Sequence, residues 1–149
     1  MSELRELYQQ LIIDHGRQPR NFGPLDNADI IKEGYNPLCG DRLTIYMTTE
    51  DDCIKEVMFE GVGCAISVAS ASLMTQALKG KRIAEADKLF DAFHELIMGN
   101  DYADNEDLLG KLIVLAGVAE FPARVKCATL CWHTLRAAMH HSEKEISTE

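Results

Sequence analysis

The segment RLTIYMT, residues 42–48, constrains the fold of this chain more than any other. Leu43, Ile45 and Met47 fall on one face, and Arg42, Thr44, Tyr46 and Thr48 on the other. Such alternation is the signature of a strand with one buried side. The polar turn EDD (50–52) and the run CIKEVMFEG (53–61) predict a returning strand, hence an antiparallel hairpin. ADIIKEGYN (28–36) supplies a further candidate strand. A sheet this small needs helices over its apolar face.

The rest of the chain supplies them. Leu4, Leu7, Tyr8, Leu11 and Ile12 recur at helical spacing within residues 3–14. RQPRNFGPLDN, with two prolines and a glycine, reads as the loop that follows. CAISVASASLMTQALKG (64–80) is rich in Ala and Ser, as a closely packed helix should be, and Gly80 stops it. Further helices are predicted over 83–98, 105–119 and 123–141, with residues 142–149 frayed. Strands first and helices afterwards predict an α+β fold: a small antiparallel three-stranded sheet covered by helices. At 149 residues, one domain spanning 1–149 can bury its own core.

The formal net charge of −9 argues against nucleic acid, whose phosphates call for clustered Lys and Arg. Eight of the acidic residues lie between Ile83 and Gly110, where Lys88 is the one basic residue. A solvated helical face followed by a loop accounts for them, with a docking surface for a basic partner as the alternative. The longest apolar run, residues 112–119, is too short to span a bilayer. The charged N-terminus lacks a signal-peptide pattern, so the expected location is cytoplasmic, away from membranes.

In a reducing compartment the five cysteines are not expected to form disulfides. Cys39 and Asp41 flank Gly40, and in extended chain positions i and i+2 share a side. A thiolate and a carboxylate can thus converge, although a buried filler or a redox thiol fits Cys39 as well. Cys64, in EGVGCAIS, stands where the second hairpin strand gives way to a helix. A helix N-terminus favours thiolate, and a small residue at a tight junction is the alternative. Cys127 follows Arg124 and Lys126, whose charge also favours thiolate. Cys53 reads as structural, and Cys131, one turn after Cys127, as core. The histidines read as surface or capping residues, with His15 suited to the C-terminal dipole of the first helix. Three thiolates and a carboxylate suit tetrahedral zinc or cluster iron. Their scatter along the chain cannot by itself establish a site.

Four stretches in order, LYQQLIIDHGRQPRNFG, NPLCGDRLTIYM, FEGVGCAISVASASLMTQALKGK and VKCATLCWHTL, together resemble the NifU N-terminal/IscU-like family of iron–sulfur cluster assembly. The resemblance covers most of the chain. It implies the IscU-like/SufE-like fold and carries over Cys39, Asp41, Cys64 and Cys127 as metal ligands. In the scaffold branch of that family a histidine precedes the third cysteine, whereas this chain has Lys126. The segment between the second and third cysteines is longer here, and EFPARVKC stands where the scaffold branch has an LPPVK-like motif. All three departures resemble the SufU branch.

That branch implies a zinc-dependent sulfurtransferase working with a cysteine desulfurase of SufS type and feeding downstream iron–sulfur assembly proteins. Zinc with these four anionic ligands would carry a formal charge of −2, which Arg124 and Lys126 could partly offset. Four protein ligands close a zinc site, so transfer requires one to leave. In the branch a desulfurase histidine takes over one zinc position and frees the residue corresponding to Cys39, which accepts the persulfide sulfur. The alternatives are an IscU-type scaffold that builds a [2Fe–2S] cluster on the same ligands, and a protein whose zinc serves the fold alone.

Overall fold

The structure is a computed structural model that describes residues 2–37, 40–140 and 146–147. From the N-terminus, α1 (Ser2–Arg17) leads to β1 (Ile30–Asn36), β2 (Asp41–Glu50) and β3 (Cys53–Val62). Then come α2 (Ala65–Leu78), α3 (Ile83–Ile97), the short α4 (Glu106–Leu109), 3₁₀ turns over Gly110–Glu120, α5 (Pro122–Met139) and β4 (Ile146–Ser147).

The hairpin forms as predicted. Ile45 pairs with Phe59 and Met47 with Val57 across β2 and β3. The turn between them is Asp51-Asp52, both at positive φ (52° and 61°). That pair matches the twist of the flanking strands, and Asp tolerates it better than most residues. β1 joins β2 antiparallel, with Ile30 opposite Met47 and Asn36 opposite Asp41. The α+β class and the three-stranded antiparallel sheet are therefore as expected.

One face of the sheet is apolar, with Leu43, Ile45, Met47, Ile54, Val57 and Phe59 all buried. α2 and α5 pack against the sheet on its helical side. The opposite face carries Arg42 stacked over the Tyr35 ring, Tyr46 donating to Glu60, and the exposed Ile31 and Val62. α2 runs through the middle of the molecule, and its buried hydroxyls at Ser70, Ser72 and Thr75 have partners. Ser70 Oγ donates to the Ala128 carbonyl at 2.7 Å, and Thr75 Oγ1 donates to the Ser72 carbonyl at 2.8 Å. Pairing of this kind offsets the cost of taking a hydroxyl out of water. On the far side of α5, Trp132 stacks on Phe93 at 4.5 Å.

Three expectations need correction. The helix expected over 105–119 is one turn of α-helix followed by 3₁₀ turns. Gly110 breaks it at φ 52°, ψ −126°, a conformation far from helical that glycine adopts without a Cβ clash. Secondly, the C-terminal segment expected to fray contributes a strand: Ile146 and Ser147 pair with Gly34 and Tyr35 in parallel, placing β4 beside β1. The rest of that segment lies outside the described residues. Thirdly, His15 is not a surface cap. It is 1% exposed, and its Nδ1 lies 2.7 Å from Ser72 Oγ.

The acidic segment is largely exposed, as expected of a solvated face. Two of its members reach across to α5: Asp87 meets His140 and Arg136, and Asp91 meets Arg136. Among the described residues no helix is long and apolar enough to cross a membrane.

Candidate metal centre

Three chain segments meet at the end of the sheet where β2 begins. Asp41 is the first residue of β2 and is fully buried. Gly40, just before it, has φ 72° and donates its N–H to the Asn36 carbonyl at 2.9 Å, turning the chain from β1 into β2. Glycine takes this positive φ without a Cβ clash. Cys39 falls in this same connection and lies outside the described residues.

Cys64 is the N-cap of α2, with φ −71° and ψ 168°. Its Sγ accepts from the Ser67 N–H at 3.4 Å, the place a Ser or Asp oxygen usually takes at a helix start. Its own N–H donates to Asp41 Oδ1 at 3.1 Å. The helix junction read from the sequence is thus where Cys64 sits. Cys127 lies on α5, which Pro122 opens at the first helical position. It is fully buried, and its Sγ donates to the Ala123 carbonyl at 3.7 Å.

The ligand atoms of Asp41, Cys64 and Cys127 lie within 4.8 Å of one another. Asp41 Oδ2 is buried and has no hydrogen-bond partner among the described residues. A buried carboxylate oxygen without a partner is costly unless a cation meets it. Two sulfurs and this oxygen are donors that suit zinc, so the residues fit a metal ion. Arg124, one turn before Cys127, faces both thiols. The Cys64 sulfur, and then that of Cys127, hold its guanidinium protonated above even its usual range. Lys126 is half-buried and forms no ion pair among the described residues.

The other two cysteines stay apart. Cys131 is buried beside Ser70, and loss of hydration pushes its thiol up to about 12. Cys53 is half-buried at the start of β3. Both fit the structural roles read for them. Sequence reasoning missed an apolar groove of about 420 Å³ beside the centre, lined by Tyr8, Ile12, Ile66, Val118, Phe121 and Arg124 among others. Its walls come from α1, α2 and the 3₁₀ turns, and no local pattern announces such a meeting. It also missed the tight packing at Gly63, for which the Gly-x-Gly before Cys64 was the available signal.

A small α+β domain that converges a carboxylate and cysteine sulfurs from a strand start, a helix cap and a second helix defines a narrow class. A family model for the NifU-like N terminal domain matches residues 7–128, and the chain belongs to that family. It is 45% identical over 142 residues to the zinc-dependent sulfurtransferase SufU of Bacillus subtilis (strain 168), covering 95% of each chain. To the iron–sulfur cluster assembly scaffold protein IscU of Streptococcus pyogenes serotype M1 it is 39% identical over 142 residues, covering 95% of this chain and 88% of the relative. A solved structure from Fervidobacterium islandicum AW-1 superposes with a TM-score of 0.83 at 36% identity. That protein is provisionally assigned as an iron–sulfur cluster assembly scaffold for the SUF system. The superposition covers 91% of this chain and 98% of that one.

Proposed function

We propose that this chain is a zinc-dependent sulfur acceptor of cytoplasmic iron–sulfur cluster assembly. In this reading it takes persulfide sulfur from a cysteine desulfurase of SufS type and passes it to downstream assembly proteins. The observation that carries the reading is the convergence of Asp41, Cys64 and Cys127, with the unpartnered Asp41 Oδ2 among them. The 45% identity to a zinc-dependent sulfurtransferase points the same way.

Asp41, Cys64 and Cys127, joined by Cys39, would hold the metal, and zinc bound there would keep thiols ionised at neutral pH and offset the buried carboxylate. The transfer itself falls to Cys39. Its thiolate attacks the outer sulfur of the donor's persulfide, forming a new S–S bond to Cys39. The bond between the donor's two sulfurs breaks, and the donor cysteine leaves as a thiolate. No external oxidant is needed. Arg124 stands at the two thiols, where its charge offsets theirs, and the adjacent apolar groove offers surface to a macromolecular donor.

A second reading is an IscU-type scaffold that assembles a [2Fe–2S] cluster on the same residues, and the 39% identity to an IscU protein favours it. Lys126 in place of a histidine before Cys127 favours the acceptor. Metal analysis of the purified protein and a desulfurase assay with and without it separate the two. Tightly bound zinc, strong stimulation of turnover, and its loss in Cys39→Ser are the expected results. Full stimulation by Cys39→Ser would remove the acceptor assignment, and iron with acid-labile sulfide but no stimulation would select the scaffold.

A further inference from the structure

We infer that Gly63 is a positioning residue of the metal centre: its missing side chain leaves the space in which the Asp41 carboxylate is locked to the Cys64 amide. This rests on the reading of Asp41, Cys64 and Cys127 as metal ligands. A Cβ added at Gly63 would lie 2.7 Å from Asp41 Oδ1 and 3.1 Å from Asp41 Cγ. Real Cβ contacts are essentially never as short as the first, so a substituted chain must move the carboxylate. The same methyl would also lie 3.1 Å from Ser67 Oγ, so it is crowded by a second group.

The carboxylate is poorly placed to yield. Asp41 is fully buried, and its Oδ1 accepts from the Cys64 N–H at 3.1 Å. That one bond orients the group so that Oδ2 is left for the cation. Swinging Oδ1 away from a methyl at position 63 breaks the bond and turns Oδ2 off the point where the three ligand atoms meet. Cys64 is the next residue, so the same strain acts on the cap whose sulfur is the second ligand. Partners that orient a ligand in this way are generally worth about 10- to 100-fold in metal affinity.

The test is Gly63→Ala, measured in the full chain by chelator competition for zinc(II) and by the visible absorption bands of the cobalt(II)-loaded protein. The expected result is about a 10- to 100-fold loss of zinc affinity with shifted cobalt bands. The loss should shrink to near nothing when Gly63→Ala is made on top of Asp41→Ala, because the clash and the misplaced oxygen are then both gone. Melting of the metal-free variants covers the case in which Gly63→Ala folds poorly. The drop in midpoint should be larger with Asp41 present than with Asp41→Ala. Unchanged zinc affinity in Gly63→Ala overturns the inference and leaves the metal reading standing. An equal penalty in both backgrounds overturns it as well, by placing the strain elsewhere. A wild-type chain that binds neither zinc nor cobalt removes the metal reading, and this inference with it.

Discussion

His15 shows how a single buried side chain ties separate segments together. Ser72 Oγ meets His15 Nδ1 at 2.7 Å and accepts the Arg20 N–H at 2.8 Å, so one hydroxyl on α2 holds both α1 and the loop after it. Burial lowers the pKa of His15, the Arg20 and Lys111 charges lower it further, and Asp14 opposes them. Asp14 itself pairs with Arg20 at 2.6 Å. The folded state therefore favours neutral imidazole. Above the unfolded value of about 6.5 neither state is protonated, and the contribution of His15 is fully present. As pH falls below that value, the unfolded chain binds a proton that the folded chain refuses, and stability declines towards the lowered folded pKa. Urea unfolding of metal-free protein should show a slope of up to about 1.4 kcal/mol per pH unit for this group between neutrality and mildly acid pH. His15→Gln, which keeps a hydrogen-bonding end, should flatten it. Part of the slope should persist, because burial also lowers His133. An identical slope in His15→Gln would assign the whole effect to other groups.

Between elements, β1 and α5 approach closely at Gly34. A Cβ at Gly34 would lie 2.1 Å from Thr134 Oγ1 and 3.2 Å from Thr134 Cβ. Gly34→Ala should therefore cost about 1–3 kcal/mol by forcing strand and helix apart, read as a lower urea midpoint. Thr134→Ala in the same chain should restore much of it, and no rescue would place the damage in β1 itself. At this scale legibility depended on how local the cause was. The β2–β3 hairpin was readable because Leu43, Ile45 and Met47 alternate and two aspartates accept the turn. α2 was readable from its small residues and the glycine after it. The 3₁₀ turns were not, since Leu112 to Val118 are apolar enough for a helix and only the backbone at Gly110 decides against one. β4 was hidden because two residues carry no period. It exists only through its parallel pairing with β1. His15 was misread because its partner is 57 residues away.

In the molecule as a whole, a metal held at the candidate centre would act as a long-range staple. Asp41, Cys64 and Cys127 belong to β2, the cap of α2 and α5, so one ion would join the sheet end to two helices. The sequence let Cys64 be read at a strand-to-helix junction and Cys39 and Asp41 as residues that can share one side of extended chain. It could not show that Asp41 is fully buried with Oδ2 unpartnered, because that depends on α2 and the hairpin closing over it. The unfolded chain cannot present three such distant donors at one point, so metal should bind the native state selectively and stabilise it by mass action. With free zinc about 1,000-fold above its dissociation constant, the gain is about 4 kcal/mol. For a chain of this size that corresponds to a rise in melting midpoint on the order of 10 °C over the chelator-treated protein. Asp41→Ala and Cys64→Ser should shrink the rise, each by removing one charged ligand. Cys53→Ser should leave it at the wild-type value, since that sulfur stands outside the cluster. A rise of the same size in all three variants would mean that zinc stabilises the fold from some other place. No rise in the wild type would separate these residues from metal altogether.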